Sequence, residues 1–293
     1  MKVSDDQAFA QWLAGRAGEA LLELRQAHGF EDPAALKAAG DKLSHDVLLT
    51  ELAQRRPDDA VMSEEDDGSR VAYADGDRPA RLAADRVWIV DPLDGTREFS
   101  EEGRTDWAVH VALWERGRGP EGGLAAGAVA LPARGVVLGT GVRRAAATLE
   151  AARASGGAMS PVRIAVSRTR PPAFVTQLVE DLGAVAVPMG SAGVKVCAVV
   201  TGEVDAYVHA GGQYEWDSAA PVAVALAAGM HASRIDGSPL LYNRPNPRLP
   251  DLLVCRPELA ERLLAAIAAN VPADAPASSE GETGPKPHQP DAS

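Results

Sequence analysis

Val87-Trp88-Ile89-Val90-Asp91-Pro92-Leu93-Asp94-Gly95-Thr96-Arg97-Glu98-Phe99 is the stretch from which the fold can be read. An apolar run ends on an aspartate. Pro92 has no N–H for a ladder and interrupts the strand. Asp94 follows, then Gly95 for a tight turn and Thr96 as a helix opener. A strand that delivers two carboxylates beside a helix start builds two features in one place. The carboxylates are hard oxygen ligands suited to Mg²⁺. The free N–H groups of the helix start suit an anion such as phosphate. Taken alone, the same residues also describe a strand, an Asp-rich turn and a capped helix.

Two further stretches sharpen the choice. Val61-Met62-Ser63-Glu64-Glu65 is a short apolar run ending in paired acids. Gln213-Tyr214-Glu215-Trp216-Asp217-Ser218-Ala219-Ala220-Pro221 places another aspartate before an Ala-rich helical segment. In this order, with Asp91-Pro92-Leu93-Asp94-Gly95-Thr96, the motifs resemble the inositol monophosphatase superfamily. That superfamily comprises Mg²⁺-dependent, lithium-sensitive phosphomonoesterases. The resemblance runs from about Asp41 to about Ala269. Arg97-Glu98-Phe99 looks like its CysQ-type branch, the 3'(2'),5'-bisphosphate nucleotidases. The inositol branch typically has Thr-Asn where this chain has Arg97-Glu98.

The resemblance implies an α/β fold, a layered α/β/α/β/α sandwich of the inositol monophosphatase/fructose-1,6-bisphosphatase type, with the site where two halves meet. It implies two or three Mg²⁺ ions. Glu64, Asp91 and the Leu93 carbonyl would hold one ion. Asp91 would bridge to a second, shared with Asp94 and Asp217. Glu64 is preferred to its neighbour Glu65 because it is the first acid after Ser63. Thr96, Asp41 and Glu64 are the catalytic candidates, with Thr96 and Asp41 activating the water. The usual Val-Thr run before that aspartate is missing here, so Asp46 stays open as its alternative and third-ion binding stays open too. Gly95 and Thr96 would offer N–H groups to the phosphate. Arg97, Ser167, Arg168, Gly190, Ser191, Lys195, Glu215 and Asp217 are the substrate-binding candidates. The implied reaction is hydrolysis of 3'-phosphoadenosine 5'-phosphate, a by-product of sulfur assimilation, to AMP and phosphate. Inositol monophosphate and fructose 1,6-bisphosphate are the alternative substrates, because fold and metal centre do not choose the leaving group. A catalytically silent nucleotide- or metal-binding regulator is the reading of a different class. A homodimer is compatible with the resemblance.

Composition limits the partners. The 293 residues suffice for one large or two small domains. Asp and Glu total 41 against 29 Lys and Arg, a net charge of -12. A basic surface for nucleic-acid polymers or anionic membranes is therefore not expected. A small anionic phosphate ester remains suitable, because bound cations invert the local charge. Cys197 and Cys255 lie inside apolar runs and read as buried free thiols. Asp5, Asp6 and Gln7 stand where a signal peptide would be basic and then apolar. No apolar run approaches the ~20 residues of a membrane span. A cytoplasmic protein is the expectation.

Periodicity predicts a first helix opened by Ser4, with Gln7 as its capping-box partner, and closed at Gly29. A second helix is predicted over 42–56, with Asp41 as its cap. Val61-Met62 is a strand, and 66–85 reads as a solvated loop. Strands over 107–114, 124–131 and 135–140 suggest an antiparallel sheet. From about Ser160 strands alternate with helices: strands at 162–167, 184–187, 205–209 and 252–255, helices at 172–182, 190–200, 218–228 and 257–268. The implied domains are 1–160, 161–271 and a disordered tail, 272–293. His45, His110, His209 and His231 lack ligand spacing and read as structural. Trp107 and Trp114 read as core.

Deleting 272–293 is expected to leave both the melting temperature and the activity nearly unchanged. The segment holds no large apolar residue whose burial could offset its ordering entropy. Calorimetry and a rate assay on the truncated chain check this, and a large drop in either would show that the tail docks.

Overall fold

The computed structural model describes residues 5–66, 79–141, 161–169 and 171–270. Within them the chain forms two five-stranded sheets separated by helices. The first sheet runs in simple sequence order: β1 (Ala60–Ser63), β2 (Arg86–Asp94), β3 (Ala108–Glu115), β4 (Gly123–Leu131) and β5 (Val136–Gly139). β1 is parallel to β2 and the remaining pairs are antiparallel. The antiparallel expectation thus holds for β3, β4 and β5, and the edge strand β1, which leads into Glu64, is parallel. The second sheet has β6 (Arg163–Ser167), β7 (Val185–Met189), β8 (Ala206–Tyr214), β9 (His231–Ser233) and β10 (Arg248–Cys255) in the order β7-β6-β8-β10-β9. β6 runs parallel to β7 and β8, whereas β10 is antiparallel to β8 and β9.

The period-2 alternation of each strand assigns its neighbours. Trp88 and Val90 face α1 (Asp6–His28) and α2 (Pro33–Arg55), whose Phe9, Leu13, Leu21, Leu48 and Leu52 are buried against them. Val87 and Ile89 face the other way, into a central core with α5 (Ala192–Thr201) and α6 (Glu215–Ala227). Ala165, Tyr207, Leu252 and Val254 close that core from the second sheet. The opposite faces of those strands, through Ile164, Val208 and Leu253, pack on α4 (Ala173–Asp181) and α7 (Ala260–Asn270). The layers are therefore α/β/α/β/α. A short helix, α3 (Thr96–Phe99), follows β2. Trp107 and Trp114 are both core residues, and Cys197 and Cys255 are buried and unbridged. Among the described residues no helix is long and apolar enough to cross a membrane.

Several boundaries differ from the sequence expectation. Asp5, not Ser4, caps α1: its side chain accepts the Gln7 N–H at 3.0 Å, and Ser4 lies outside the described residues. The second helix begins at Pro33. Asp32 accepts from Ala34 and Ala35, and a proline follows it, which is a complete helix start. Asp41 is consequently in mid-helix and caps nothing. α6 begins at Glu215 rather than Ser218, because the Asp217 carboxylate accepts the Tyr214 N–H at 2.6 Å and closes the first turn. β9 was not expected, and its short polar sequence carries no strand pattern. The boundary near Ser160, the link before it, most of the 66–85 loop and the tail lie outside the described residues.

Gly40 shows how closely α2 meets the central motif. A Cβ there would lie 2.7 Å from Phe99 Cε1 and 3.0 Å from Leu93 Cδ2. Gly40→Leu is expected to destabilise the fold by about 1–3 kcal/mol through overpacking. Urea unfolding measures this, and an unchanged midpoint would mean that α2 has room to move away.

Candidate active site

The pairing of β1 with β2 sets the site's first element. Ser63 lies beside Val90, and the Glu64 N–H donates to the Val90 carbonyl at 3.3 Å. Glu64 therefore leaves β1 alongside Asp91. Glu64 is half-buried and Glu65 exposed, which distinguishes the two neighbouring acids. The β2–β3 register shifts between Asp91 and Asp94, so the chain bulges where Pro92 lacks its N–H. Asp91, Asp94 and Asp217 of α6 bring carboxylate oxygens within 4.8 Å of one another. Asp91 is wholly buried. Its Oδ1 accepts the Leu93 N–H at 3.0 Å, while its Oδ2 has no hydrogen-bond partner among the described residues.

Such a cluster is electrostatically costly on its own. Burial, then the charges of Glu64, Asp94 and Asp217, push Asp91 well above its ordinary value. Burial and Asp94 push Asp217 up to about 7. Asp94 goes the other way. Burial alone would raise it, but His110, the Ser191 hydroxyl and the Gly193 N–H together outweigh that and hold it low. Its Oδ2 accepts from Ser191 Oγ at 2.5 Å and from Gly193 N at 2.8 Å. A buried, unpartnered carboxylate oxygen amid like charges is the donor set that a divalent cation fits.

The helix start lies beside the cluster. Gly95 has φ +86°, and a Cβ there would crowd Asp106 O, Ser191 Cβ and Trp107 Cα at 3.2 Å each. Thr96 Oγ1 donates to the Leu93 carbonyl at 3.1 Å. Ser44 Oγ of α2 donates to the Pro92 carbonyl at 2.5 Å. Helical spacing places Lys37 and Asp41 on the same face of α2 as Ser44. Asp46 is exposed and pairs with Lys42 at 2.7 Å, away from this face. A cavity of about 370 Å³ opens here, lined by Lys37, Gly95, Thr96, Arg97, Glu98 and Thr169. Lys37 and Thr169 were not anticipated. Lys37 becomes legible only once the helix is extended back to Pro33, which puts it one turn before Asp41.

Other expected substrate contacts are engaged elsewhere. Arg168 Nε and Nη2 reach Glu98 Oε1 at 3.1 and 2.7 Å, and Nη2 also reaches Glu101 at 2.9 Å. These bonds tie the end of β6 to α3. Lys195 is buried and turns back to the Gly190 and Ser191 carbonyls at 3.0 and 2.7 Å. Burial lowers its pKa. Glu215 is buried too. Its two oxygens accept the N–H groups of Arg244 and Asn243 at 2.8 and 2.5 Å, and burial pushes it up to about 7. The Gly190 N–H donates to Asp106 at 2.6 Å. Ser191 holds Asp94 and caps α5. Ser167 ends β6 opposite Met189. In this structure these polar groups have partners within the protein, as buried polar groups do. His110 was read as structural, yet its Nε2 lies 3.3 Å from Asp94 Oδ2. A histidine inside a wholly apolar strand was the signal available.

The family model described as the inositol monophosphatase family matches residues 4–271. The chain belongs to the inositol monophosphatase family. A curated relative from Mycobacterium leprae (strain TN), called 3'-phosphoadenosine 5'-phosphate phosphatase, is 53% identical over 269 residues, covering 89% of this chain and 93% of that protein. A Mycobacterium tuberculosis (strain CDC 1551 / Oshkosh) protein of the same name is 54% identical over 253 residues, covering 86% of this chain and 89% of its own length. The 3'(2'),5'-bisphosphate nucleotidase CysQ of Escherichia coli (strain K12) is 29% identical over 246 residues, covering 78% and 91%. Among solved structures, inositol monophosphatase - II from Staphylococcus aureus MSSA476 aligns with a TM-score of 0.65 at 19% identity, covering 89% of this chain and 94% of that one. At that identity the likeness concerns the fold.

In this member of the family Asp217 provides a pH test. Its folded value of about 7 stands above its ordinary 3.8, so its stabilising contribution exists at low pH and is lost as pH rises through 7. With chelator present, Asp217→Asn should gain stability over the wild type progressively between about pH 4 and pH 7, the difference levelling off above that. Urea midpoints across that range check it, and a constant difference would mean that Asp217 titrates normally.

Proposed function

We propose that the protein is a Mg²⁺-dependent phosphomonoesterase that hydrolyses 3'-phosphoadenosine 5'-phosphate at its 3'-phosphate, giving AMP and phosphate. The observation that carries this is the buried cluster of Asp91, Asp94 and Asp217 beside the Thr96 helix start, in a chain 53% identical to a phosphatase so named. Glu64, Asp91, the Leu93 carbonyl, Asp94 and Asp217 would hold two ions, with a third left open. When bound, Mg²⁺ supplies charge neutralisation to the phosphate and a lowered pKa to water. Gly95 and Thr96 direct backbone N–H groups at the phosphate oxygens. Thr96 would accept the proton of the attacking water while its own hydroxyl proton passes to the Asp41 carboxylate. Inhibition by Li⁺ belongs to the same reading.

The bisphosphate brings a second phosphate, which needs cations of its own. Arg168 and Lys195 are engaged within the protein. Lys37 and Arg97 line the cavity next to Thr96 and, among the described residues, make no ion pair. We assign the second phosphate to them. Arg97 is the stronger candidate of the two, since its planar fork matches phosphate.

The test is kcat/KM on 3'-phosphoadenosine 5'-phosphate, inositol 1-phosphate and fructose 1,6-bisphosphate. The wild type should prefer the nucleotide. Arg97→Ala and Lys37→Ala should each lose about tenfold or more on the nucleotide, the loss expected for a charge-assisted hydrogen bond of about 1.5–3 kcal/mol, and much less on inositol 1-phosphate. Asp94→Asn should leave under about a tenth of the rate on every substrate, a barrier change above ~1.4 kcal/mol. Preference for inositol 1-phosphate, or equal losses on all substrates, would overturn the nucleotide assignment. Absence of phosphate release from all three would favour a silent binding protein.

A further inference from the structure

His110 lies in mid-β3 and is fully buried among apolar neighbours. A buried imidazole loses hydration that an aliphatic side chain would never have had, so its contacts must offset that cost. Its Nδ1 lies 3.1 Å from the Trp216 carbonyl oxygen. That oxygen can only accept, so Nδ1 carries a proton there. Its Nε2 lies 3.3 Å from Asp94 Oδ2, and Nδ1 lies 3.9 Å from Asp91 Oδ2. One ring therefore spans from the carboxylates at the end of β2 to the backbone of α6, one residue before Asp217.

Gly193 closes the remaining side of the ring. A Cβ at that position would overlap His110 Nε2. Its N–H meanwhile donates to the same Asp94 oxygen, at 2.8 Å. The close approach of α5 to Asp94 and the place of the ring thus depend on one missing methyl group. Gly193 has an ordinary helical position, so backbone conformation does not account for the glycine.

We infer that His110 is a positioning residue that sets the spacing between Asp94 and Asp217, with Gly193 providing the room for its ring. Asp94 comes from β2 and Asp217 from α6, and no sequence-local contact joins them. The ring is a rigid spacer, with Nε2 beside Asp94 and Nδ1 on the Trp216 carbonyl that precedes Asp217. Such outer contacts orient the groups that hold a metal and tune its affinity. The inference rests on the metal-dependent reading above, and its test separates the two.

Mg²⁺ binding is measured by isothermal titration calorimetry on the full chain without substrate, together with the rise in Tm on adding Mg²⁺. His110→Ala should bind Mg²⁺ about 10- to 100-fold more weakly than wild type. Gly193→Ala, which keeps both the N–H and the imidazole, should also weaken binding by displacing the ring. In the His110→Ala background the vacated space accepts the new methyl group, so Gly193→Ala should add less than about twofold there. Equal losses from Gly193→Ala in both backgrounds would overturn the inference, as would His110→Ala binding within about twofold of wild type. A wild type that binds no Mg²⁺ overturns the metal reading and this inference with it. Wild-type binding with unaffected variants overturns this inference alone. Should His110→Ala lose its cooperative melt, Gly193→Ala decides by itself: weaker Mg²⁺ binding supports the spacer and unchanged binding removes it.

Discussion

Like charges forced together inside protein are the constraint on which the rest of this structure depends. Asp91, Asp94 and Asp217 crowd their oxygens within 4.8 Å, with Glu64 alongside. In water such a group would separate. Here the backbone prevents it, because Asp91 and Asp94 end one strand, Glu64 leaves the parallel neighbour and Asp217 closes the first turn of α6. Burial first, and then the repulsion, raises the pKa values of Asp91 and Asp217. A cation is the natural relief, and the unpartnered Asp91 Oδ2 is where relief is most needed.

Holding that arrangement requires both sheets. Asp94 depends on α5 through Ser191 and Gly193, and on β3 through His110. The Gly190 N–H reaches Asp106 before β3, and Arg168 reaches Glu98 and Glu101 around α3. Apart from the His110 contact, these bonds cross from the second sheet's half to the first. Ion pairs of this kind contribute little to stability when exposed. Their value here is geometric, because Glu98 and Asp106 are buried and leave few alternatives. Arg168 and Lys195 tie loops together in this way. Lys37 and Arg97 are left facing the cavity.

The layered fold and the acidic centre were legible from Asp91-Pro92-Leu93-Asp94-Gly95-Thr96 and its two companion stretches. Strand alternation, a proline at the bulge and a glycine at positive φ are local properties, and local sequence encodes them. The helix starts were read less well. Asp32-Pro33 is a stronger start than Asp41, and missing it hid the position of Lys37. β9 had no pattern to read. The partners of Arg168, Lys195 and Glu215 were not legible, because a sequence gives charges without their partners.

By itself the sequence determined the order of strands and helices, the family, and which acids stand at the ends of elements. The elements and the acids at their ends follow from short-range rules of period, turn and cap, and the family from the resemblance of three motifs taken in order. Only the tertiary structure decided which polar groups remain free to meet a ligand. That outcome depends on pairings across large sequence separations: Arg168 with Glu98, Gly190 with Asp106, His110 with the Trp216 carbonyl. A buried charge must be satisfied by whatever the fold brings near it, and proximity between residues seventy or more positions apart is a property of packing rather than of any stretch of chain.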